Sequence, residues 1–292
     1  MDSPRAPSSL TSRRATSSPA GDPHAPVTNF VLLKLLVSAR LRSQLAYRGS
    51  FFSDVAGQVL LGLTEFVELY AIVHNVSTFG GMTLAQTLLV FGLASVAFAL
   101  GDLLMGETDS MSETIRSGKL EVLLVRPLPV LLQLATSDFQ LRRVGRLFFA
   151  LAALVAALLL TDIDWDPAKI MLAIITPLAG AAIFCALFLG AGAMQFWILD
   201  GRQFANAFTY GGRYVASMPG AALFFPVQIF FTFVIPATLV AYAPTLVILD
   251  LDGPAGIPAW TGWLGLPAAV VLSGLMLLLW RAAIKKYTGA GG

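Results

Sequence analysis

Apolar runs and polar gaps alternate along this chain with the spacing of a protein that crosses a bilayer repeatedly. A hydrocarbon core of ~30 Å takes about 20 helical residues, and six stretches approach or meet that need: 50–73, 84–104, 147–160, 170–199, 219–242 and 263–280. The third is short and must borrow flanking residues; the fifth is punctuated by Gly and Pro. Ahead of the first, 29–48 places Phe30, Leu33, Val37 and Leu41 on one helical face, interrupted by Lys34 and Gln44. With Arg40, Arg42 and Arg48 in its second half, this segment suits a helix lying at the headgroups. Residues 1–27, rich in Ser, Pro, Ala and Arg, are too polar to bury a core and read as a disordered tail. The expected fold is an all-α polytopic membrane protein over 28–292. Ser12-Arg13-Arg14 is not followed closely by the apolar region and cleavage site of an export signal.

Charge sorting orients the six spans. Of nineteen Lys and Arg, seven precede the first span, six lie between the second and third, Arg202 and Arg213 follow the fourth, and three end the sixth. Only Lys169 falls on the other side. Positive charge collects on the cytoplasmic side, so both termini are expected inside, with 74–83, 161–168 and 244–262 outside. The last of these carries Asp250, Asp252, Pro254, Pro258 and Trp260 and is too polar to cross. Charged residues make up 12% of the chain, about half the share of a soluble domain, which leaves little material for a large soluble unit.

Chemistry-bearing motifs are sparse. Cys185 lies inside an apolar span, and His24 and His74 have no ligand spacing, so neither a disulfide framework nor a Cys/His metal site is expected. Asp162, Asp164 and Asp166 imitate the start of a calcium loop, but Pro167 and Ala173 occupy the positions that need Gly and Glu. Gly118-Lys119 is followed by Leu120, with no Gly-rich phosphate cradle around it, so no nucleotide site and no enzymatic centre is expected in this chain.

Two features stand out. In the inner loop 105–146, Ser110 and Glu113 have the spacing of a capping box and Gly118 that of a left-handed helix stop. Together they predict a helix of about two turns over 111–117 that displays Glu113, Thr114 and Arg116. Such an element is either a docking helix or only a well-formed loop. In the first span, Asp54, Gln58, Leu61, Glu65 and Glu68 recur at steps of four and three and share a face. Ionisable groups at the centre of a bilayer cost at least ~2.5 kcal/mol each, so this face is expected to meet protein or a wet path. Asp54 reads best as a headgroup residue; Glu65 and Glu68 either line a substrate route or bond a neighbouring helix.

The string Ile115-Arg116-Ser117-Gly118-Lys119-Leu120, continued by Leu123-Leu124-Val125-Arg126-Pro127-Leu128-Pro129, resembles the inner-loop signature of ABC-2 type permeases. These are membrane subunits of bacterial ABC transporters. The Pro-spaced stretch Phe233-Val234-Ile235-Pro236-Ala237 to Tyr242-Ala243-Pro244 is similar to their fifth-helix region. The likeness implies six transmembrane helices, an N-terminal cytoplasmic elbow helix and a coupling helix between the second and third. It implies coupling roles over Glu113, Thr114, Ile115, Arg116, Gly118 and Lys119. It further implies a second permease subunit, identical or related, and a separate dimeric ATPase that carries the ATP and Mg. The expected function is thus an exporter subunit in the bacterial plasma membrane for a hydrophobic or amphiphilic small molecule. A proton-coupled carrier using Glu65 and Glu68, or a membrane assembly protein without transport, are the competing readings.

Overall fold

The computed structural model describes residues 48–76, 78–137, 141–198 and 202–287. The expected tail, and the expected elbow helix apart from Arg48, lie outside them. The described residues are helical, with no strand. α1 (Arg48–His74) and α2 (Leu84–Met105) are joined by a tight turn in which Phe79 and Met82 pair. A 3₁₀ turn, Gly106–Ser110, carries α2 into the short helices α3 (Met111–Arg116), α4 (Lys119–Val125) and α5 (Val130–Ser137). Two long helices follow, α6 (Leu141–Leu160) and α7 (Pro167–Met194), then the shorter α8 (Arg202–Ala216). α9 (Phe225–Ile229), a π turn Phe230–Val234, a 3₁₀ turn Thr238–Val240 and α10 (Tyr242–Ile248) precede α11 (Gly265–Lys286).

Local chemistry sets where the long helices begin. Thr83 and Gln86 form a reciprocal capping box at the start of α2, the Thr83 amide donating to Gln86 Oε1 at 2.9 Å. Asp166 caps α7 by accepting from the Lys169 amide at 2.8 Å, and Pro167 takes the first helical position, where no amide is needed. Of the acidic run 162–166, Asp166 is thus a helix cap. α6 begins at Leu141, so the short third span does recruit the flanking residues it needs. Packing is dense because small residues admit close neighbours. A Cβ on Gly92 would sit 2.8 Å from the Leu154 backbone, and one on Gly180 only 2.7 Å from Ala97 and 2.8 Å from Val240.

Among the described residues five helices are long and apolar enough to cross a membrane, α1, α2 with its extension, α6, α7 and α11 with the turn before it, or six if the bent pair 225–248 is one span. The fifth traverse differs from the sequence expectation. α8 starts beyond the basic end of α7 and rises beside α1 and α2, with Arg213 against Glu65. Its continuation, Pro219 and Ala222, packs on Gly80 in the turn at the opposite end. α8 thus runs from the basic end towards that turn, and Arg213 lies level with Glu65 of the first candidate span, not in an inner loop. Its Gln203, Asn206, Thr209, Tyr210, Arg213 and Tyr214 make it too polar to stand out as apolar.

The stretch expected to cross over 219–242 is not one straight helix but a bent pair. Phe225–Val234 and Thr238–Ile248 are bent by 63°. Gln228 lies against Gly256, and Asp250 pairs with Lys169 at the start of α7, so both ends of the pair sit at the acidic end. At its turning region Val240 meets Gly180, thirteen residues along α7 and so about 20 Å in. Non-helical backbone at that depth must be satisfied within protein. The Thr232 hydroxyl bonds the Gln228 carbonyl at 2.6 Å and shares a 2.8 Å hydrogen bond with Thr238. Pro244, expected in an outer loop, is buried in α10; the loop begins at Leu249. We expect single cysteines at Ala222 and Asp252, in a Cys185→Ala background, to label from the same side of the membrane. Labelling from opposite sides would make 225–248 a span.

At the other end, α3, α4 and α5 close over the helix ends. Met111, Ile115, Leu120 and Leu134 bury against Leu189, Ala193, Trp280 and Ala283. The expected capping box does not form: Ser110 donates to the Glu107 carbonyl at 2.9 Å, because the 3₁₀ turn already continues the chain from α2. Gly118 does adopt the left-handed conformation, φ 69°, between α3 and α4. The apolar run 120–125 is helical as α4.

Candidate functional site

The face shared by Asp54, Gln58, Glu65 and Glu68 is divided by what α8 brings to it. Arg213 grips Glu65 with both guanidinium nitrogens, Nη1 donating to Oε1 at 2.7 Å and Nη2 to Oε2. One turn on, the Tyr214 hydroxyl donates to Glu68 at 3.1 Å. Asp54 and Gln58 lie nearer the basic end, on a shallow concavity built by α1 alone. Asp54 is exposed, in keeping with a headgroup position, and Gln58 Oε1 is buried with no hydrogen-bond partner among the described residues.

Arg213 belongs to a larger set of charges at membrane depth. Its guanidinium carbon stands 4.5 Å from the centre of the Phe98 ring, and that of Arg146 stands 5.5 Å from the same ring. A desolvated cation over an aromatic face gains up to ~2 kcal/mol, so Phe98 holds both arginines where water is scarce. Arg146 donates to Asp102 at 3.0 Å. Arg143 donates to the Asp102 carbonyl at 2.8 Å and lies between the Asp102 and Glu107 carboxylates, at 3.6 and 3.8 Å. Tyr210 hydrogen-bonds Asp109 in the turn before α3. A polar seam thus runs from that turn, along α2, α6 and α8, to Glu65 and Glu68 on α1.

The seam opens into a cavity of about 110 Å³. Glu65, Glu68, Tyr210, Arg213 and Tyr214 form its polar wall, and Leu69, Ile72, Phe79, Phe91 and Met218 its apolar one. Because Arg213 neutralises Glu65, Glu68 is the wall's carboxylate with no cation against it among the described residues. An apolar pocket with a few convergent polar groups is the usual form of a small-molecule site. Here it would take an apolar body with a positive or hydrogen-bonding head.

Of the residues expected at a coupling surface, Glu113, Arg116 and Lys119 are exposed at the basic end and Thr114 is half-buried. Ile115 faces the buried cluster instead, and Gly118 forms the turn between helices. Sequence reasoning missed Asp102, Arg146, Tyr210, Arg213 and Tyr214. The spacing Tyr210, Arg213, Tyr214 was the available signal, since steps of three and four give one helical face.

The family model described as ABC-2 family transporter protein matches residues 59–291, from the middle of α1 to the end of the chain. No curated protein and no solved structure matches.

Proposed function

This chain belongs to the ABC-2 family of transporter proteins, a multi-pass membrane protein, and on that premise we propose that it is the permease subunit of an ATP-driven exporter of amphiphilic small molecules. Membership implies partnership with an ABC ATPase subunit. In this reading six helices cross the membrane, α8 among them, and the re-entrant pair 225–248 plugs the outer end. The basic end faces the cytoplasm, where Glu113, Thr114, Arg116 and Lys119 meet the ATPase, and ATP and Mg bind on that partner. A second permease subunit covers the face of α1 and α8. The exposed Asp54, Thr64, Glu68, Tyr210 and Tyr214 on that face are costly against lipid.

The observation that carries the substrate class is the cavity, with apolar walls and Glu68 as its open carboxylate. A proton carrier using both carboxylates is disfavoured by the same geometry, because Arg213 already occupies both oxygens of Glu65. We expect Glu68→Gln, in liposomes with the ATPase, to slow transport of a lipophilic cation about fivefold, the equivalent of ~1 kcal/mol for a partly exposed charge pair. Transport of a neutral amphiphile should be unchanged. Equal slowing of both would remove Glu68 from substrate recognition.

A further inference from the structure

We propose that Gln195, at the basic end of α7, is the positioning residue that ties the coupling segment to the transmembrane bundle. The inference rests on the permease reading and assigns a route for the motion that reading requires.

Gln195 is fully buried, and its side chain spends every hydrogen bond on one task. Oε1 accepts from both the amide and the hydroxyl of Ser112, inside α3. Nε2 donates to the carbonyl of Asp109 at 3.1 Å and to that of Ala191, in its own helix, at 3.3 Å. A single amide thereby bridges the turn before α3, the first turn of α3 and the last turn of α7. Nearby bonds point the same way. Thr108 donates to the Phe188 carbonyl at 2.9 Å. A Cβ on Gly192 would fall 2.8 Å from the Thr108 carbonyl, so the turn lies directly on α7.

What this clasp does follows from its rigidity. A buried amide with both ends satisfied has no alternative partner when the turn is pushed, so α7 moves with it. Asp109 also holds Tyr210 of α8, whose next turn carries Arg213 and Tyr214 into the cavity. Force applied at Glu113 or Arg116 therefore reaches α7 through Gln195 and the cavity wall through Tyr210. The 3₁₀ turn between α2 and α3 is held to α7 at Thr108 and Asp109, and Gln195 sets which helix follows it.

The test uses the full permease–ATPase complex in proteoliposomes, with a lipophilic cation such as tetraphenylphosphonium as transported probe. Gln195→Leu keeps volume and removes all four bonds. We expect transport per ATP hydrolysed to fall about tenfold, with basal hydrolysis and co-purification within twofold of the wild type. Ser112→Ala removes one donor and should lose about twofold, and the double variant should be no worse than Gln195→Leu alone, because both act on one path. Gln195→Glu keeps the acceptor for Ser112 and loses the donor to Asp109. It should fall about threefold, and it decides the question if Gln195→Leu fails to assemble. Wild-type transport per ATP in the assembled glutamate or leucine variant would overturn the proposal. A wild-type complex that hydrolyses ATP without moving any probe would instead remove the permease reading beneath it.

Discussion

Asp102→Leu should cost the folded protein about 3–5 kcal/mol, the range for breaking a buried ion pair by removing one partner. Asp102 is 5% exposed and takes Arg146 through its carboxylate and Arg143 through both carboxylate and carbonyl. Without the side chain, Arg143 keeps the carbonyl and Glu107. Among the described residues, Arg146 keeps the face of Phe98 and the more distant Glu65 and Tyr210. The variant should show a large fall in Tm in detergent and a low yield of assembled protein. Replacing both charges, Asp102→Leu with Arg146→Met, should recover most of the loss, because a buried pair exchanged for apolar side chains is near neutral. A double variant as unstable as the single would show that Asp102 acts through packing and not through charge.

The parts of the fold legible in the sequence are those that signal by apolarity. α1, α2, α7 and α11 lie within a few residues of their expected positions, because long apolar runs have no other stable place. α8 was hidden for the converse reason. Its Tyr210, Arg213 and Tyr214 bond the turn before α3 and α1, so the helix is held by polar contacts and does not read as an apolar run. The Gly and Pro of 219–242 signalled a break but not a bend of 63°, since a bent pair and a kinked span have the same composition. Cation counting placed Arg213 in a loop because counting does not see a partner 148 residues away.

The candidate site was half legible. The step of three between Glu65 and Glu68 put both on one face, and both line the cavity. What separates them is α8, which gives Glu65 an arginine and Glu68 only a tyrosine hydroxyl. Likewise the Ser110-to-Glu113 spacing marked the right helix for the wrong reason. The 3₁₀ turn supplies the start that a capping box would have supplied, whereas the sequence signal that did form a box, Thr83 with Gln86, went unread.

The largest functional effect is expected at α3. Glu113 and Arg116 are exposed and Thr114 is half-buried, while Met111 and Ile115 hold the helix to the ends of α7 and α11. Recognition and anchoring are thus divided between opposite faces of one short helix. Changing Glu113, Thr114 and Arg116 together to Ala should leave the fold nearly intact, because outward-facing substitutions usually cost within about 0.5 kcal/mol each. The triple variant should insert normally and keep its Tm within a few degrees. If this face seats in the ATPase, substrate-stimulated ATP hydrolysis should fall more than tenfold, beyond what any single cavity substitution produces, since every transport cycle passes through this contact. Ile115→Ala should show the opposite pattern, a lower Tm from a cavity worth about 2–5 kcal/mol, with stimulation retained in the protein that stays folded. Stimulation that survives the triple change but not Ile115→Ala would place the ATPase contact elsewhere on the basic end, and α3 would then serve only to close the bundle.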